Sequence, residues 1–196
     1  ARCFADLDRI DQMITEVREA RPDDPDADDG GADPATGTGG RAELGAQLDL
    51  VAQCVEAGVA TRAFSVSLGG FDTHADEKQL QEILLGKMDK AVTAFADRMA
   101  GRPVTVAVYS EFGRRVRANA SDGTDHGTAS NVFVLGSGVR GGLHGAQPSL
   151  TDLDDGDLKY TVDFRDVYAG LLADVLATDP ERVLGGWTGR LSLTAS

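Results

Sequence analysis

The hydrophobic period of this chain switches from helix-like to strand-like in the middle, and that switch constrains its fold more than any single residue. Leu80, Ile83, Leu84, Met88, Ala91, Val92, Phe95 and Met99 recur every three or four positions, which predicts a long amphipathic helix through these residues. Gly101-Arg102-Pro103 ends it. Val104–Tyr109 follows as a continuous apolar run bounded by turn residues, the pattern of a strand buried on both faces. A second short buried strand is predicted over Asn131–Leu135, left through Gly136-Ser137-Gly138, and a third over Ala63–Leu68. Helices are predicted over 3–20 (Phe4, Leu7, Ile10, Ile14, Val17), over 42–57 (Leu44, Leu48, Val51, Ala52, Val55, stopped at Gly58) and over 164–177. The last has Asp163 as N-cap and Phe164, Val167, Tyr168, Leu171, Leu172 and Val175 on its inner face. Strands alternating with helices point to an α/β fold, a mainly parallel sheet covered by helices as a three-layer sandwich. In such sheets ligands gather at the carboxyl ends of the strands.

Length and charge limit the classes of partner. The 196 residues suffice for one domain with a sizeable core, read as a single α/β domain over 1–196. Within it, 21–40 is expected to be a mobile acidic loop, because Asp-Asp-Pro-Asp-Ala-Asp-Asp-Gly-Gly carries no apolar periodicity. Those aspartates do not form a calcium loop: Gly30 falls one place late for the EF-hand pattern and no Glu closes it. A net charge of -13 argues against nucleic acid, which needs clustered Lys and Arg, and favours a cation. No apolar run reaches the roughly 18 residues of a membrane span. Cys3 and Cys54 make at most one bridge, in neither a metal-type nor a redox-type spacing. The chain opens at Ala1 without an initiator Met or a leader, as a processed product or a fragment would.

The chemistry concentrates in three loops. All three histidines, His74, His126 and His144, lie in glycine-rich segments, and two stand beside aspartates, in Gly69-Gly70-Phe71-Asp72-Thr73-His74 and Gly123-Thr124-Asp125-His126-Gly127. Asp and His together suit Zn, Mn, Mg or Ca, and loops next to strands can bring such side chains to one point. Each motif taken alone also reads as a polar turn. Asp72, His74 and Glu111 fall just past strand ends, and His126 precedes the next strand. Glu111 reads either as a ligand or as a partner of Arg114 or Arg115, and the two arginines either grip an anionic ester or serve the surface. His144 has no adjoining acid and reads as a surface or pocket-rim residue. Ser65, Ser67 and Ser110 have no base arranged beside them, so no catalytic nucleophile is assigned. Trp187 reads as a packing anchor for the C-terminal tail.

Taken in order, several of these motifs resemble a bacterial family, domain of unknown function 1501. They are Gly69-Gly70-Phe71-Asp72-Thr73-His74, Ser110-Glu111-Phe112-Gly113-Arg114-Arg115, Asn119 with Gly123-Thr124-Asp125-His126-Gly127, Val139-Arg140-Gly141-Gly142 and Asp163-Phe164-Arg165-Asp166-Val167-Tyr168. The family is grouped with the alkaline phosphatase and sulfatase superfamily. The resemblance therefore implies an alkaline-phosphatase-like sandwich, incomplete at its N-terminus, and a metal-dependent hydrolase acting on small phosphate or sulfate esters. It implies metal ligation by Asp72, His74, Glu111, Asp125 and His126, and substrate contacts by Arg114 and Arg115. It also implies export from the cytoplasm. Where the superfamily has an Asp-His pair, this chain has Glu111 and Phe112, so one histidine is missing. Asp125 either replaces it or orients His126. The resemblance puts the nucleophile upstream of Ala1. The alternative is a non-catalytic metal-binding or scaffold protein that retains the fold.

Overall fold

The computed structural model describes residues 43–194, so the expected helix over 3–20, the acidic loop 21–40 and Cys3 lie outside the described residues. By their internal contacts these residues form two compact units, 43–72 with 82–98 and 73–81 with 99–194.

The first unit is built on Leu44–Glu56 (α1) and on most of Glu77–Arg98 (α2), whose first turn belongs to the second unit. Leu44, Leu48 and Ala52 fall at a spacing of four and are buried with Cys54, as an amphipathic face requires. Cys54 is a free thiol whose pKa is pushed up by burial. Ala57 caps the helix and Gly58, at φ 68°, turns the chain away. The Gly58 amide donates to Val55 O and the Val59 amide to Cys54 O, the paired bonds of a Schellman stop. On α2 only Phe95 near the C-terminal end is buried within this unit, while Ile83 and Leu85 stay exposed. Arg98, in the last turn, grips Glu56 with two nitrogens, at 2.8 and 2.6 Å, and also pairs with Asp49. The segment expected as a strand over Ala63–Leu68 has no strand pairing among the described residues. Its backbone is met by a side chain: Gln47 Nε2 donates to Ser67 O at 2.9 Å and Gln47 Oε1 accepts from Ser67 N at 3.1 Å.

The second unit contains three two-stranded antiparallel sheets. Thr105–Val108 (β1) pairs with Phe133–Gly136 (β4), Gly113–Ala118 (β2) with Thr124–Gly127 (β3), and Leu153–Asp154 (β5) with Asp157–Leu158 (β6). The parallel three-layer sandwich is therefore corrected. The two apolar runs read as parallel strands pair with each other in antiparallel fashion, because the stretch between them contains the β2–β3 hairpin and no crossover helix. Nor are they buried on both faces: Phe133 is 55% exposed and Tyr109 60%.

The core of this unit forms around Phe164–Gly170 (α3), which continues into a π turn at Leu171–Val175. Asp163 caps α3 as expected, accepting from the Arg165 amide at 2.9 Å. Val167, Ala169 and Gly170 are buried, and Leu193 of the C-terminal segment is buried in the same unit. That segment is held by Leu191 N to Asp166 O at 2.9 Å and by Arg140 N to Leu193 O at 2.8 Å. Trp187 donates from Nε1 to Asp166 Oδ1 at 2.9 Å, with the Arg165 guanidinium 3.7 Å above its ring. A last short helix, Pro180–Val183 (α4), starts from the cap Asp179. None of the helices among the described residues is long and apolar enough to cross a membrane.

Candidate metal-binding site

The site is built on the β2–β3 hairpin and on the loop that enters α2. In the hairpin Arg114 faces His126 directly. Alternation along β2 sends position 112 to the same side as 114, so Phe112 is the diagonal neighbour of His126. The rings of Phe112 and His126 accordingly stack, with centroids 3.8 Å apart and planes inclined by 9°. Past Arg114 the register breaks: the three residues 115–117 lie opposite the single Asp125 before Ala118 meets Thr124. Such a bulge bends the strand and re-aims its side chains.

The entering loop carries Thr73 and His74 against that hairpin. Asn119 Nδ2 donates to His74 O at 3.0 Å and Arg114 Nη1 to Thr73 O at 2.6 Å. The amides of Asp76 and Glu77 donate to Ser121 O and Asp122 O. Two glycines permit the approach. A Cβ on Gly123 would sit 2.5 Å from His74 O, and one on Gly127 would sit 2.7 to 2.9 Å from Arg114 and Arg115 backbone atoms.

His74 comes to rest over His126, with ring centroids 4.9 Å apart and planes inclined by 27°. Asp72, the residue just before this unit begins, completes the group: ligand atoms of Asp72, His74 and His126 all lie within 4.8 Å of one another, and all three residues are exposed. Two imidazoles and a carboxylate are a sound donor set for zinc or manganese. Neighbouring ligands around a tetrahedral zinc stand about 3.3 Å apart, from bond lengths of about 2.0 Å. The group must therefore contract, and one stacked ring must turn so that its nitrogen points at the ion. Exposure leaves room for that movement.

The remaining expected residues divide. Asp125 lies beside His74, with Oδ1 3.5 Å from His74 Nδ1 and 3.2 Å from Asn119 Nδ2. The Asn119 hydrogen bond first, and then His74, hold its carboxyl below the usual range. Glu111 is exposed and stands outside the converging group. His144 stays with its own loop, hydrogen-bonded to Arg140. Arg114 is turned inward: Nε lies 3.2 Å from Glu77 Oε1, Nη1 also donates to Thr124 O at 2.6 Å, and Nη2 reaches Thr73 Oγ1 at 3.3 Å. Arg115 pairs with Asp157 at 3.5 Å and donates to Asp155 O. With Arg117, Asn119 and Asp125 it lines an open cleft of about 520 Å³.

Arg117 and Glu77 are site residues that sequence reasoning missed. Arg117 is exposed at the bulge, and no residue pattern announces a bulge. Glu77 is 8% exposed, and its partner lies 37 positions away, beyond any local signal.

Neither the curated proteins nor the solved structures contain a match to this chain. A family model does match, over residues 7–194, and by it the chain belongs to the family described as protein of unknown function DUF1501.

Proposed function

We propose that this chain holds one divalent cation through Asp72, His74 and His126, as part of a metal-dependent hydrolase of small phosphate or sulfate esters. The observation that carries the reading is the convergence of those three ligand groups within 4.8 Å on one exposed surface. A divalent ion held there supplies Lewis-acid polarisation of an ester oxygen. The residues themselves offer binding and orientation. Asp125 stands as a carboxylate beside His74 Nδ1, and the cleft with Arg115 and Arg117 next to it suits a small anionic group.

The test is elemental analysis of the purified chain after dialysis against trace metal. About one equivalent is expected in the wild type and none in an Asp72→Ala, His74→Ala double variant. Equal metal in the two proteins would sink the assignment.

A non-catalytic metal-binding protein is the second reading. It is favoured by Phe112, which stands where the resemblance calls for a histidine and is packed flat against His126. Because the resemblance puts the nucleophile upstream of Ala1, the two are separated by assaying metal-loaded protein that includes the upstream segment on aryl phosphates and aryl sulfates: only the first reading expects turnover above that of the same protein with the double substitution.

A further inference from the structure

Beneath the paired imidazoles lies a set of buried polar groups. Thr73 and Glu77 are 9% and 8% exposed, and the Arg114 side chain only 18%. Arg114 meets Glu77 Oε1 with Nε, two carbonyls with Nη1 and Thr73 Oγ1 with Nη2. Glu77 in turn accepts from Thr124 Oγ1 at 2.6 Å and from Gln81 Nε2 at 2.8 Å. A buried ion pair adds little net stability once desolvation is counted, yet it fixes geometry closely when every donor and acceptor is used. The position of this pair is informative. Thr73 immediately precedes His74, Thr124 is two residues before His126, and Arg114 is the cross-strand partner of His126.

We propose that Arg114, clamped by Glu77, is a positioning residue that ties the loop carrying His74 to the hairpin carrying His126 and so sets the spacing of the two imidazoles. The proposal rests on the reading of that pair as metal ligands. Arginine suits the task because its planar fork meets a carboxylate and two carbonyls at fixed angles, whereas lysine offers one point charge on a flexible stem. Groups that orient a metal ligand without touching the ion typically change affinity about 10- to 100-fold when removed.

The experiment compares wild type, Arg114→Lys, Glu77→Gln and Thr124→Val, with Arg98→Lys as control for a carboxylate-gripping arginine in the other unit. Each full-length chain is measured for thermal stability, for the imidazole resonances of His74 and His126 without metal, and for zinc affinity. Arg114→Lys is expected to erase the ring-current shift that Phe112 imposes on His126 and to weaken zinc binding about tenfold or more. Glu77→Gln should behave likewise, and Arg98→Lys should change neither readout. Should the Arg114 and Glu77 variants fail to fold, Thr124→Val, which keeps the shape and removes only the bond to Glu77, carries the test with an expected loss of several-fold. Zinc affinity and imidazole resonances unchanged in folded Arg114→Lys, or in Thr124→Val if it alone folds, would overturn the proposal. So would an equal loss in Arg98→Lys. If wild type binds no zinc while Arg114→Lys still loses the ring-current shift, the metal reading fails and the positioning role stands.

Discussion

A hydrogen atom in place of a side chain sets the spacing of the hairpin. The Cβ of an alanine at 127 would meet the carbonyl carbon and oxygen of Arg114 and the amide nitrogen of Arg115, all backbone atoms that cannot swing aside. Gly127→Ala is therefore expected to push β3 from β2 and to destabilise the chain by about 1–3 kcal/mol, the range for overpacking. Urea denaturation checks this, and a midpoint unchanged from wild type would mean that the strands separate at no cost. His126 is the residue next to Gly127, so the same separation disturbs its stack on Phe112. At this scale the sequence was informative about identity but not about partnership. Asp72, His74 and His126 stood out by type and spacing, and the structure brings them together. Asp125 and Arg114 were singled out with two readings each, and their neighbours, Asn119 with His74 and Glu77 with Thr73 and Thr124, come from segments that meet only once the chain has folded.

Among the elements, helices were more legible than strands, and the reason is local. The stop at Gly58 and the cap at Asp163 are each set by a few adjacent residues, so the ends of α1 and the start of α3 follow from sequence. A strand depends on what pairs with it. Val104–Tyr109 and Asn131–Leu135 do contain strands, but their partner and direction were misread, because an apolar run does not state what lies across from it. Ala63–Leu68 shows the limit case: it has no strand partner among the described residues, and its backbone is met at Ser67 by the side-chain amide of Gln47.

The start of α3 also carries a pH prediction. Hydrogen bonds from the Arg165 side chain, and then from its amide, hold the Asp163 carboxyl at about 2, below its ordinary 3.8. A depressed folded-state value means stability that is present in full above 3.8 and is lost as pH falls through about 2. Asp163→Asn keeps a capping acceptor and loses the charge. The melting-temperature advantage of wild type over this variant should be constant above pH 5, shrink below pH 4 and close near pH 2, as followed by circular dichroism. An advantage that stays constant across that whole range would show that the ion pair is not its source.

For the molecule as a whole, net charge acts on stability without depending on any one contact. Residues 43–194 carry 21 acidic and 14 basic residues, and folding brings that excess of negative charge closer together. Raising ionic strength from about 0.01 to 0.15 M shortens the screening length from about 30 to about 8 Å. The melting temperature is expected to rise over that range, and a fall would mean that local pairs such as Arg98 with Glu56 outweigh the general repulsion. The global architecture was the least legible level. Alternating helices and apolar runs fit a parallel sandwich, but the alternation fixes neither the handedness of a connection nor whether it is a crossover or a hairpin, and here the described strands pair only as antiparallel ribbons.

Trp187 is the sole tryptophan of the chain, seated under the Arg165 guanidinium and hydrogen-bonded to Asp166. Intrinsic tryptophan emission is consequently a built-in spectroscopic gauge of a single event, the docking of the C-terminal segment on α3. Its red shift during a denaturant titration reports the parting of that segment from the start of α3, so a fluorescence midpoint earlier than the circular-dichroism midpoint would mark this junction as the first part of the fold to let go.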